Sequence, residues 1–370
     1  MYNKIFMRNK IYNKKCDKKF SFLLLYIFLC LFFYAGFTGC GSEANVQEQS
    51  KYQRFSEIYL DLFDTVTIII GYAQSQEEFN YFSRNIIREE LYRLHQLFDI
   101  FNEYPGINNM WSVNHNAGIQ PVEVDPVIIE MLKFSIEAYN DTRGALNVAL
   151  GPVLDIWRTY IAAAADTEPS DTRPSVPDMD KLLLANEFTD IGNVIIDEEN
   201  STVFLRYEGM SLDVGGIAKG YAIELAAQKA ISAGFESFIL TVGGDVRAAN
   251  GPLGGTRDTW SVGVNNPDGG ELIDVIFVNN SSVFSSGDYL RYFMADGVRY
   301  HHIIDPYTLM PTVGIRSVTV IHPDGRVADM LTTAAFVLNI EEAKEVLEGF
   351  GPEAIWVLED GAVITTRSSF

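Results

Sequence analysis

Cysteine is nearly absent from this chain. Its 370 residues include three, at positions 16, 30 and 40, and none follows residue 40. An internal disulfide, a zinc–cysteine site and a cysteine nucleophile are therefore excluded from everything beyond that point. Positive charge is scarce as well: 28 Lys and Arg face 49 Asp and Glu, a formal net charge of −21. Seven of those bases and one of those acids precede residue 20, which leaves 21 basic against 48 acidic groups in the remainder. Such a surface argues against nucleic-acid binding, which depends on basic patches. A phosphate-bearing ligand would need backbone N–H groups or a bound cation. Histidine is rare, five in all, and His95, His115 and His322 stand alone with no motif around them. The chain has no Gly-x-Ser-x-Gly elbow, so a serine hydrolase lacks its usual context. It has no internal repeat, and its one long apolar run is Phe20–Phe37.

That run follows the basic stretch Met1–Lys19 and ends at Phe37-Thr38-Gly39-Cys40. A basic segment followed by an apolar one is the pattern of an export signal. Small residues ahead of a cysteine resemble a bacterial lipoprotein signal, with residues 1–39 removed and Cys40 lipidated. An uncleaved membrane anchor is the alternative, because the run approaches spanning length. Either reading anchors the rest of the chain at the outer face of the cell membrane. Residues 41–54 are polar and aperiodic and read as a tether. Residues 55–370 then form one domain, with Thr167–Asp180 as a proline-containing surface loop.

Coarse elements within that domain alternate in type. Val66–Ile70 is a β-branched strand run, Gln76–Asp99 a long helix with Phe79, Phe82, Ile86, Ile87 and Leu91 on its apolar stripe, and Val127–Tyr139 a second helix. Val194–Ile196 and Val203–Tyr207 read as a hairpin, and strands are expected at Trp260–Val264, Leu272–Val278, Val283–Phe284, Ser317–Ile321 and Ile355–Leu358. Val327–Leu338 and Ile340–Glu348 read as helices. Hairpins mixed with helices indicate an α+β fold.

The segment Leu212–Asp245 is the most informative. Asp213 and the pair Gly215-Gly216 precede a helix starting near Ala218, with Ile223, Ala227 and Ile231 as its stripe and Gly234 as its stop. A strand, Phe238–Val242, then ends at Gly243-Gly244-Asp245. Glycine turns at a helix N-terminus suit an anionic ligand. They also serve strand–helix–strand units that bind nothing, and the spacing alone does not separate the two readings.

Chemistry-bearing residues follow in the C-terminal half. Asp329 and Thr333 are four apart on one helix and share a face. Two oxygen ligands one turn apart suit Mg²⁺, which keeps waters and takes substrate phosphates; a helix-dipole role for Asp329 is the alternative. In His301-His302-Ile303-Ile304-Asp305-Pro306, adjacent histidines on a strand point to opposite faces, so at most one enters a given site. Such an imidazole is either a general base or a strand-end ligand of the Asp turn. Ser285-Ser286-Gly287 reads as a turn able to present hydroxyls.

Together these segments resemble the FAD:protein FMN transferases, the ApbE family. The resemblance rests on an ordered set: FDT at 63–65, LFDIFNEYPGINN at 97–109, GALNVALGPVLDIW at 144–157, LDVGGIAKGYA at 212–222, GGD at 243–245, SSGDY at 285–289, HHIIDP at 301–306 and ADMLTT at 328–333. It implies a single mixed domain of the T-fold-like type. It implies FAD contacts at Phe63, Ala145, Leu146, Asn147, Asp213, Lys219, Gly243, Gly244 and Ile304, with Phe101 beside the flavin where members commonly carry tyrosine. Ala145-Leu146-Asn147 departs from the Ala-Phe-Asp common there. The resemblance implies Mg²⁺ held by the Gly216 carbonyl, Asp329 and Thr333, and His302 as the residue accepting or orienting a proton. The implied reaction moves FMN from FAD to a threonine of an exported acceptor, a membrane redox subunit being the natural partner, and releases AMP. Hydrolysis of FAD to FMN and AMP, or FAD binding without turnover, are the alternatives.

Overall fold

The computed structural model describes residues 51–166, 175–254 and 257–367. The export signal, Cys40, most of the tether and most of the Thr167–Asp180 loop lie outside the described residues. Among them, no helix is long and apolar enough to cross a membrane.

Fifteen strands are described: β1 (Gln53–Leu62), β2 (Thr65–Ala73), β3 (Val122–Glu123), β4 (Val194–Asp197), β5 (Thr202–Leu205), β6 (Phe238–Val242), β7 (Asp245–Ala249), β8 (Trp260–Val264), β9 (Asp274–Val278), β10 (Ser282–Gly287), β11 (Tyr292–Ala295), β12 (Val298–His301), β13 (Ile315–His322), β14 (Glu353–Leu358) and β15 (Val363–Thr365). Eight of them form one antiparallel sheet in the order β1-β2-β6-β7-β10-β13-β14-β15. Successive strand residues face opposite sides, and both sides are covered. Phe238, Leu240 and Val242 of β6 enter the main apolar core with Phe284, Val318, Val320 and Trp356. Ile239 points the other way, into a second core capped by Trp260, Val262, Ile276 and Val278 of the β8–β9 hairpin. The α+β expectation holds.

Two helices on the main-core side position the site. Ala218–Ser232 packs against Gly325–Val337, and the closeness of their backbones depends on glycine. A Cβ on Gly220 would lie 2.4 Å from Asp329 Cβ and 2.6 Å from the Gly325 carbonyl oxygen, so only glycine fits. Ile223 and Ala227 are fully buried as expected, but Ile231 is 38 % exposed. At 3.6 residues per turn, residue 231 lies about 80° round the helix from residue 223 and leaves the buried stripe.

Other differences are instructive. The expected helix Gln76–Asp99 is Gln76–Asn80, a π-helical stretch Tyr81–Arg88, and Glu89–Phe98. Ser285-Ser286-Gly287 is not a turn but the end of strand β10, paired with β13. Flanking β-sheet hydrogen bonds override the local turn preference of Ser and Gly. Helix Gly151–Asp166 was not anticipated. It buries Trp157, whose Nε1 donates to the Leu309 carbonyl at 2.9 Å, in a third apolar cluster with Val153, Phe293, Ile304 and Leu309.

Candidate active site

The N-terminus of helix Ala218–Ser232 has no side-chain cap. The first N–H groups of a helix lack intrahelical partners and carry the positive end of its dipole. Asp329 meets that need from the neighbouring helix: its Oδ2 accepts the Gly220 N–H at 2.7 Å. One turn along, Thr333 lies against Gly216, since a Cβ on that glycine would be 3.4 Å from Thr333 Oγ1 and 3.7 Å from Leu146 Cδ1. Gly216, Asp329 and Thr333 are thus brought together, with Leu146 beside them.

Lys219 points into the same place. Its Nζ pairs with Asp245 Oδ2, and Asp245 Oδ1 accepts the Ser285 N–H at 3.0 Å. Burial pushes the Asp329 carboxyl well above the usual carboxylate range, Lys219 opposes this, and Asp245 reinforces it. For Lys219 the balance is reversed: burial lowers its pKa, but the Asp245 and Asp329 charges more than offset that and raise it. Asp245 ends the GGD motif and had been given no role of its own. It is reached by the two-residue turn Gly243-Gly244, with φ of 62° and 100°, between the paired strands β6 and β7. Two positive φ angles in such a hairpin are what glycine pairs supply.

The two histidines differ in position, for β12 ends at His301 and leaves His302 outside the strand. His301 is buried; its Nε2 lies 2.9 Å from the Thr312 carbonyl oxygen and its Nδ1 accepts the Ile303 N–H at 3.2 Å. The buried Nδ1 of His302 has no hydrogen-bond partner among the described residues. Burial first, then the nearby Arg291 and His301 charges, push its pKa down to about 3, and Lys219 contributes in the same direction. The imidazole is therefore neutral across the physiological range, with Nδ1 left as an unpaired acceptor or donor site.

The remaining expected contacts fall into three groups. Asn147 caps the short turn Val148–Leu150 through Ala149 N–H at 2.9 Å and donates to the Thr189 carbonyl at 2.9 Å. With Tyr139, Gly144, Thr189 and Tyr307 it lines a cleft of about 310 Å³. That cleft is not at the Asp329 cluster, and Ala145 and Leu146 are buried between the two. The Ile304 side chain is 4 % exposed in the Trp157 cluster, so it backs the site and does not line an open surface.

Phe63 and Phe101 are joined by a hydrogen-bonded chain through a histidine that looked incidental in the sequence. Phe63, at φ 51°, donates its N–H to His95 Nδ1 at 3.3 Å and packs edge-on to that ring. Tyr104 Oη lies 3.4 Å from His95 Nε2 and donates to Asp99 Oδ2 at 2.9 Å, while Asp99 Oδ1 accepts the Phe101 N–H at 2.6 Å. Asp213 accepts the Gly215 N–H at 2.8 Å and an Arg158 N–H at 3.0 Å. Arg158 is a residue that sequence reasoning missed, and no motif there marks it.

The ApbE family model matches residues 63–356. The chain belongs to the ApbE family. It is 34 % identical over 267 residues to the FAD:protein FMN transferase of Treponema pallidum (strain Nichols), covering 68 % of this chain and 71 % of that protein. It is 32 % identical over 257 residues to one from Klebsiella pneumoniae (strain 342), covering 68 % and 76 %. Among solved structures, the ApbE protein of Thermotoga maritima superposes with a TM-score of 0.71 at 32 % identity, covering 86 % of this chain and 97 % of that one. The flavin transferase ApbE of Vibrio cholerae, at 22 % identity, shares the fold with a TM-score of 0.70, covering 86 % and 98 %. The ApbE match takes in every site residue described above.

Among the described residues no group of three or more His, Cys, Asp or Glu side chains could hold a metal. A cation here would depend on a mixed oxygen set. Asp329 Oδ1 and Thr333 Oγ1 make no hydrogen bond among the described residues, and the Gly216 backbone lies against the threonine. A sparse set of oxygen donors fits Mg²⁺, which takes waters and substrate phosphates as its other ligands.

Proposed function

We propose that this chain transfers the FMN moiety of FAD to a threonine hydroxyl of an exported acceptor protein and releases AMP. The observation that carries the reading is the convergence of Gly216, Lys219, Asp329 and Thr333 at one helix N-terminus. These residues come from two motifs far apart in the chain and bring a cation and oxygen donors to one point. That combination suits a pyrophosphate in an otherwise acidic protein. Gly216, Asp329 and Thr333 would hold Mg²⁺, which when bound neutralises pyrophosphate charge. Lys219 adds its own positive charge to the same oxygens, and Asp245 holds it in place.

His302 takes the proton. Its neutral, unpartnered Nδ1 accepts the hydrogen of the acceptor hydroxyl as that oxygen bonds to the FMN-side phosphorus. The phosphorus–oxygen bond to the AMP side breaks, AMP leaves with the bridging oxygen, and the flavin remains on the acceptor as a phosphoester. Positioning and electrostatics do most of the catalytic work in such a transfer. Phe63, Phe101, Asn147 and Asp213 would contact the rest of FAD. A lipidated Cys40 would hold the enzyme at the outer face of the membrane, where an exported redox subunit is within reach; Cys40→Ser should release the protein into the soluble fraction.

The test combines the protein, FAD, Mg²⁺ and a threonine-bearing acceptor. Protein-linked FMN with AMP is the expected product. Free FMN with AMP would replace transfer by hydrolysis, and intact bound FAD would remove catalysis altogether.

A further inference from the structure

The chemistry above makes no use of Arg158, yet this side chain is built into the site. Helix Gly151–Asp166 carries it, and that helix starts hard against the segment leading to Asp213: a Cβ on Gly151 would be 2.3 Å from the Ser211 carbonyl oxygen. The guanidinium lies 5.0 Å from the centroid of the Phe101 ring, which is 59 % exposed. Its Nη2 bonds two carboxylates at once, Asp155 Oδ1 and Asp213 Oδ2, each at 3.0 Å. Among the described residues nothing accepts from its Nε or Nη1. Arginine is a planar fork of five N–H donors, always charged, that stacks on aromatic faces. Here Nη2 is pinned by two carboxylates, the guanidinium carbon lies over an aromatic ring, and Nη1 and Nε keep separate N–H donors.

A purely structural role accounts poorly for this arrangement. The side chain is 33 % exposed and Asp155 62 % exposed, and ion pairs open to water contribute little to stability. Stacking a cation on a half-exposed phenyl ring does not bury either group. The combination instead suits a planar ligand that stacks on the ring and presents a carbonyl acceptor, such as the isoalloxazine.

We propose that Arg158 is a flavin-recognition residue, donating from Nη1 to a carbonyl oxygen of the isoalloxazine held beside Phe101. This rests on the FAD reading above and deepens it. Arg158 supplies a polar contact at the flavin that the Phe101 ring, without a hydroxyl, does not.

The experiment titrates the full chain in detergent with FAD and, separately, with ADP in the presence of Mg²⁺. ADP shares the pyrophosphate end and lacks the flavin. Arg158→Ala and Arg158→Lys are compared with the unaltered protein; the lysine keeps the charge beside Asp213 and loses the fork. Both variants should bind FAD roughly tenfold more weakly, the scale of one or two charged hydrogen bonds. ADP binding should stay within about twofold on the same reasoning, and the shift of the flavin absorbance band on binding should shrink. Equal loss of FAD and ADP would mean that Arg158 only props Asp213, and overturns the proposal; so does no loss of either. If Arg158→Ala fails to fold, the lysine variant decides by the same comparison. An unaltered protein that binds ADP but not FAD, or neither, overturns the FAD reading itself, a result visible before any variant is made.

Discussion

The Gly220 N–H donates to Asp329 Oδ2 at 2.7 Å across the crossing of two helices, at a point where no side chain larger than hydrogen fits on residue 220. One contact therefore closes the helix crossing, caps the Ala218–Ser232 helix and orients the carboxylate of the candidate metal site. The Oδ1 atom is left for a ligand.

Gly220→Ala should be poorly tolerated. Its added methyl would sit 2.4 Å from Asp329 Cβ, and the nearest atoms include backbone, which cannot swing aside. Overpacking of this kind costs about 1–3 kcal/mol. Urea denaturation should show a lower midpoint with an unchanged slope, and turnover should fall with it because Asp329 must move. A midpoint equal to that of the unaltered protein would refute the tight crossing.

Asp329→Ala removes a proposed ligand and leaves the Gly220 N–H without its acceptor. The stability loss should be modest, about 1 kcal/mol, the scale of a lost cap. Turnover should drop by a factor of at least about 100, on the scale of losing charge stabilisation at a reacting phosphate, and its Mg²⁺ dependence should vanish. A variant that keeps its rate and its Mg²⁺ response would sink the metal assignment.

Lys219→Met strands the Asp245 carboxylate, whose side chain is only 3 % exposed. Breaking one partner of a buried pair is costly because the other charge is left uncompensated. Lys219 itself keeps 31 % of its side-chain surface in water, so the loss should be about 2–3 kcal/mol, less than for a fully buried pair. Adding Asp245→Asn should restore most of the thermal stability without restoring FAD turnover. If the double variant is no more stable than the single one, the pair is not what holds this corner together.

His302 makes a pH prediction with a definite sign. Its folded pKa, about 3, lies below the ordinary value of 6.5 because burial disfavours the charged ring. The unfolded state therefore binds the proton more readily, and the stability contributed by the neutral ring is complete above pH 6.5. It is lost progressively as pH falls from 6.5 toward 3. His302→Gln should flatten that part of the stability curve and abolish transfer while leaving FAD affinity unchanged. His301, also shifted down by burial, contributes in the same direction and remains in the variant. A curve for His302→Gln that superimposes on the original would place the imidazole in solvent.

Much of the fold was legible because its causes are local. A short apolar run gave the buried strand Phe238–Val242, the helical period gave the helix that ends before Gly234, and the i, i+4 spacing put Asp329 and Thr333 on one face. Where the local signal competes with pairing, it misled: Ser285-Ser286-Gly287 has turn chemistry but lies in a sheet.

The sequence by itself determined the α+β class, the ordered motifs of the ApbE family and the residue types able to meet a pyrophosphate. Only the tertiary structure decided which of them meet. Gly220 and Asp329 are 109 residues apart, Lys219 and Asp245 are 26 apart, and Arg158 and Asp213 are 55 apart. No periodicity records such distances, because burial and close packing of the sheet and its two helices set them, and the same burial shifts the pKa values of Asp329, Lys219 and His302.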